Sequence, residues 1–177
     1  MAAVKPELQL ICDFVNTLEV EDGTDELADP AGLGRWLRTR GLWAGRPDDK
    51  DAVWARELRE ALRELMWVNN GGTSDIEGAS ATIDGASRRA GVVVRFGDGG
   101  MRLVAPHGGI GAVVAAAGEA MADGSWQRLK ACRADTCRWA FVDSARNRSR
   151  QWCSMSVCGN REKARRYRRR HSDAESS

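Results

Sequence analysis

Cys132-Arg-Ala-Asp-Thr-Cys137 and, after fifteen intervening residues, Cys153-Ser-Met-Ser-Val-Cys158 hold four of the five cysteines of this 177-residue chain. Two short-spaced thiol pairs suit tetrahedral zinc, which takes four thiolates at about 2.3 Å. Two other uses of four cysteines stay open at this level: an iron–sulfur cluster, which makes a redox device, and a pair of disulfides. Disulfides fit a reducing compartment poorly. The chain begins without a recognisable export signal, and no run approaches the ~20 apolar residues that span a bilayer. We expect a cytoplasmic protein with one structural Zn2+ on Cys132, Cys137, Cys153 and Cys158.

The charge distribution sets the same region apart. Residues 1–125 carry 13 basic against 20 acidic residues, a net of −7, whereas residues 126–171 carry 14 against 3, a net of +11. That density of positive charge repels itself unless a polyanion or an internal cross-link offsets it. Few large apolar residues are available there (Trp126, Leu129, Trp139, Phe141, Val142, Trp152, Val157, Tyr167), too few for a core. Structural zinc, at about 10–16 kcal/mol of apparent binding energy, supplies what they lack. The expected division is a domain over 1–125, a finger over 126–171 and a flexible tail over 172–177. Trp139 and Trp152 adjoin the two knuckles and are expected to pack over the metal.

Upstream, apolar periodicity reads as helices. Leu8–Leu18 forms a short element that runs into an acidic stretch. Asp29-Pro30 starts a helix that Gly41 stops. The clearest helix runs from Asp48 to Val68, with Arg and Glu opposite the apolar face. A weaker one covers Ser74–Arg89, and Ile110 to Met121 marks another. Gly91–Phe96 and Met101–Ala105 read as a hairpin around a four-residue loop. The fold class is α+β: a mostly helical N-terminal domain with a small β-hairpin sheet, then a small four-cysteine zinc finger with a basic C-terminal helix.

Nothing points to catalysis. Gly109-Ile-Gly111 lacks the third glycine and the acidic strand end of a dinucleotide fold. His107 and His171 have no nucleophile partner in the pattern, and Cys12 reads as a small buried hydrophobe. Asp13 with Asn16, and Asn69 with Asn70, are candidates for a polar ligand pocket, although capping and turn roles compete for each.

Past the last cysteine, a helix from about Gly159 to Arg170 sets Asn160, Ala164, Tyr167 and His171 on one stripe, expected to face the zinc core. Arg161, Lys163, Arg165, Arg166, Arg168, Arg169 and Arg170 cover the rest. The preceding loop adds Arg146, Asn147, Arg148 and Arg150. Glu162 is the one acidic residue between Ser144 and Ser172. A basic helix beside a knuckle is the footprint of nucleic-acid binding. A rival partner for that charge is the acidic N-terminal domain of the same chain.

The run from Trp126 to Arg161, with Cys158-Gly159-Asn160-Arg161, closely resembles the CGNR zinc finger. The N-terminal part resembles the ABATE domain through Cys12-Asp-Phe-Val-Asn-Thr-Leu18, Leu27-Ala-Asp-Pro30, Trp36-Leu37 and Asn69-Asn70. The resemblance implies a bacterial, stress-induced transcription regulator whose finger binds DNA through the basic loop and helix. The N-terminal domain would then sense a small-molecule effector or pair two subunits into a homodimer. An RNA-binding zinc protein, with Trp139 or Trp152 stacking on bases, and a thiol or iron–sulfur redox sensor are the alternatives.

Overall fold

Local chemistry starts and stops the helices close to where the sequence predicts. The structure is a computed structural model describing residues 4–42 and 45–175, apart from the side chains at 170 and 172–175. Helix α1 spans Pro6–Val15 and α2 spans Pro30–Thr39, where the Asp29 carboxylate accepts from Gly32 N–H. Helix α3, Asp49–Asn69, opens on a reciprocal capping box between Asp48 and Asp51. Helix α4, Ile76–Ala90, is capped by Asp75 and ends on Gly91 in the left-handed region. Strands β1 (Val93–Gly97) and β2 (Gly100–Val104) pair antiparallel, and α5 follows over Ile110–Ala122. Gly97 pairs with Gly100, so the hairpin turns on Asp98-Gly99 alone, tighter than the predicted four-residue loop.

A 3-10 turn at Ser125–Arg128 leads into a second antiparallel hairpin, β3 (Leu129–Ala131) and β4 (Ala140–Val142). A one-turn π-helix, Met155–Gly159, then runs into α6, Asn160–Glu175. These elements have the α+β class expected from the sequence: α-helices with two small hairpins.

One core spans both halves of the charge pattern. Ile11 and Phe14 of α1, Leu33 and Trp36 of α2, Leu58, Leu62 and Met66 of α3, and Val113 and Ala117 of α5 pack together. Trp126, Leu129, Ala131 and Ala140, all past residue 125, join that same cluster. The step in charge near residue 125 is therefore not a break in packing. The scarce apolar residues of the finger are shared: the β3–β4 hairpin rests on the helical body, while Phe141 and the cysteines form a small cluster of their own.

Two arginines of α3, read from sequence as part of its solvated face, are buried instead. Arg59 makes a bidentate pair with Asp25 (2.6 and 2.9 Å), and Arg63 donates to the Val15 and Leu18 carbonyls. Burial pushes the Asp25 carboxyl up, but the Arg59 bonds and the Leu27 N–H outweigh it and hold it below the usual range. Together they fix the loop after α1, which carries Glu19, Glu21 and Asp22.

Candidate metal centre and basic surface

The first cysteine pair sits on the loop of the β3–β4 hairpin, where Cys132 N–H donates to Trp139 O and Cys137 N–H to Ala134 O. Of the second pair, Cys153 precedes the π-turn and Cys158 lies within it, and the turn's start is capped by Ser154 Oγ accepting from Val157 N–H. All four sulfurs lie within 4.8 Å of one another, with Cys137 and Cys153 at 3.6 Å and Cys153 and Cys158 at 3.7 Å. A tetrahedron of thiolates at about 2.3 Å from a zinc ion needs edges of about 3.8 Å, whereas a disulfide needs about 2.05 Å. The set matches zinc, and all five cysteines are free thiols.

The electrostatics agree. Hydrogen bonding from Cys137 and Cys153 pulls the Cys132 thiol down, while the contact with Cys132 pushes the Cys137 and Cys153 thiols up. One thiolate forms at its neighbours' expense until a dication makes several compatible. Trp139 and Trp152, both half-buried, pack against this cluster as the sequence predicts. In Cys158-Gly159-Asn160-Arg161, each residue has its own task. Cys158 is a ligand, and a Cβ on Gly159 would lie 2.6 Å from Met155 Sδ and 3.3 Å from Trp152 Cδ1. Asn160 Nδ2 donates to Ser156 O in the π-turn, and Arg161 reaches Glu21 at 2.8 and 3.0 Å.

The residues expected to line a polar pocket fall at two places, and hydrogen bonds engage three of them. Asn70 donates to both Ala131 O and Gln151 O (2.8 Å each), and Asn69 to Trp126 O and Leu129 O (2.9 Å each). Asn16 pairs with both backbone groups of Ala140. Three of the four candidates thus clamp the finger onto α1 and α3. Asp13 accepts from Gln9 and lines a polar cleft with Asn16, away from Asn69 and Asn70. Arg138, at a left-handed φ of 52°, completes the junction by lying over the Trp67 ring at 4.0 Å and pairing with Glu64.

The basic loop is built on a buried ion pair that sequence reading passed over. Lys130 Nζ lies 2.7 Å from Asp143 Oδ2, both side chains almost wholly buried, and also donates to the Arg148 and Arg150 carbonyls. Asp143 in turn accepts from Ala145 N–H and Arg150 N–H. Burial raises the Asp143 carboxyl, but Lys130 and these amides hold it below the usual range. The signal available in sequence is a lysine, Lys130, set between two apolar neighbours, Leu129 and Ala131, in a cationic segment. Arg146, Asn147 and Arg148 are exposed on the pinned loop. Arg150 is spent elsewhere: its guanidinium donates to Trp152 O and Cys153 O and lies 4.8 Å from the Phe141 ring.

Helix α6 departs from expectation. Ala164, Tyr167 and His171 are exposed rather than set against the zinc core, Tyr167 at 59%. The helix extends to Glu175, into the segment read as a tail, and its main packing is on the π-turn. The reason is charge: with Arg165, Arg166, Arg168 and Arg169 on successive faces, no side is apolar enough to bury. Arg161 and Lys163 are exposed as well, and Glu162 pairs with Arg165, Arg166 and Arg169. The side chain of Arg170 lies outside the described residues.

The arrangement is that of a zinc finger grafted onto a helical body. Comparison with known families agrees: the CGNR zinc finger model matches residues 128–171, and the ABATE model, described as a putative stress-induced transcription regulator, matches residues 8–124. The chain belongs to the ABATE family and carries a CGNR zinc finger. No curated protein matches it. Both descriptions are of regulator and zinc-finger types rather than enzymes, and among the described residues no helix is long and apolar enough to cross a membrane.

Proposed function

We propose that this chain is a bacterial, cytoplasmic transcription regulator that binds duplex DNA through its finger. The observation that carries the reading is α6: its described side chains from Ala164 to His171 are exposed, and from Asn160 to Arg170 it sets seven Lys and Arg against the single acidic Glu162. A 16-residue helix is about 24 Å long and, with side chains, 10–12 Å wide, matching a major groove about 12 Å across. The pinned loop adds Arg146 and Arg148 as phosphate contacts, and Asn147 offers a neutral donor. Arg161, Lys163, Arg165, Arg166, Arg168, Arg169 and Arg170 supply the helix charges. Division of labour follows, with 126–171 contacting DNA and 1–125 sensing a small molecule or pairing two subunits.

The test is competition: a labelled random-sequence duplex bound to the zinc-loaded protein, challenged with equal phosphate of unlabelled duplex, hairpin RNA and single-stranded RNA. Displacement by duplex DNA at the lowest concentration supports the reading. Preferential displacement by either RNA replaces it with the RNA-binding alternative.

A further inference from the structure

A cavity of about 230 Å³ opens between α2, the start of α3, the end of α4 and the N-terminus of α5, and shares no lining residue with the finger. Its wall is apolar, made by Leu33, Leu37 and the Trp54 ring. The Trp54 indole N–H is buried without a hydrogen-bond acceptor, a condition that costs about 1–3 kcal/mol where it persists. The polar side of the cavity is cationic. Arg89 is held in place, its guanidinium 4.6 Å from the Trp54 ring centre and 2.8 Å from Asp51. Arg46 joins it, and the His107 imidazole adds a polar edge. Asp51 is the sole carboxylate of the lining, and its two oxygens are already committed to Arg89 and to the Asp48 N–H.

Helix α5 adds to the positive potential. Its cap, Gly109, carries no side-chain acceptor and gives its own N–H to Leu42 O, and its first turn has no acidic residue, so no side chain answers the positive end of its dipole. Gly108 and Gly109 both stand at left-handed φ (61° and 59°), which brings bare backbone to the cavity.

We propose that this cavity binds a small monocarboxylate with an apolar body of one ring. Its volume, below the about 300–1,000 Å³ of pockets for drug-sized ligands, suits a body of one ring. Its charge excludes a cation, and its apolar wall leaves phosphate nothing to do with half the surface. The carboxylate would take Arg46 and the free edge of Arg89, while the ring would lie along Leu33, Leu37 and Trp54. Such a ligand gives the sensing role of the helical half a site and a chemical class. The proposal rests on that reading for its consequence and not for the binding itself.

The experiment uses full-length zinc-loaded protein without DNA, titrated by calorimetry with benzoate, benzamide and inorganic phosphate. The expected result is saturable one-to-one binding of benzoate, with benzamide at least about ten-fold weaker for want of the charge. In Arg46→Gln with Arg89→Gln, exposed changes checked by an unaltered zinc content and melting curve, benzoate should weaken at least about ten-fold. No benzoate binding at millimolar concentration, benzamide or phosphate binding as tightly as benzoate, or a double variant that binds normally would each overturn the proposal. Loss of DNA binding in the same preparation bears on the proposed function alone.

Discussion

Asn70→Ala is the sharpest probe of how the finger is attached. Asn70 is 5% exposed, and its amide serves two carbonyls at once, Ala131 O on β3 and Gln151 O just before the second cysteine pair. Alanine removes both donors: Ala131 O is stranded where Ala131 is fully buried, while Gln151 O keeps its bond from Arg133 N–H. A stranded buried group costs about 1–3 kcal/mol, and that is the expected loss. With a urea m-value of about 2 kcal/mol per molar, the midpoint falls by about 0.5–1.5 M. Urea unfolding followed by far-UV circular dichroism and by tryptophan fluorescence measures it. Because one core spans both parts, the two probes should move together in one transition. A loss below about 1 kcal/mol, or a finger transition separate from that of the helices, would refute the clamp.

Other outcomes follow from the same geometry. Elemental analysis should find one zinc per chain, and chelation at pH 7 should lower the melting midpoint of the whole chain by more than about 15 °C. Asp143→Ala leaves Lys130 charged and buried, costing about 3–5 kcal/mol in thermal or urea unfolding. Because Asp143 is held below the ordinary carboxylate value of about 4, its stabilisation is complete above that pH and is lost as pH falls through the depressed value; acid titration of wild type against Asp143→Asn checks this. Glu21→Ala frees Arg161 from an exposed pair and should leave unfolding nearly unchanged while tightening DNA binding by about two- to five-fold in anisotropy.

The parts of this structure that sequence discloses are those with local causes. Asp29 and Asp48 cap their helices through contacts three residues away, and the four cysteines announce their site by their spacing. What stays hidden depends on partners far along the chain. Asn16 meets Ala140, and Asn70 meets Ala131 and Gln151, so their roles exist only once α1, α3 and the hairpin are packed together. Arg59 and Arg63 look like ordinary solvated helix residues until the loop carrying Asp25 folds over them. For α6, helical periodicity offers a buried face, yet that stripe holds only alanine, tyrosine and two polar residues. Charge on every other side keeps it in solvent.

The central claim is that the exposed cations of the loop and α6 engage phosphates. The direct measurement is affinity for a random-sequence duplex as a function of salt, for wild type, Arg165→Ala and Arg168→Ala. We expect log K to fall against log salt with a slope of about −4 to −5, reduced in magnitude by about 1 in each variant. Affinity indifferent to salt, or variants with the wild-type slope, would contradict it.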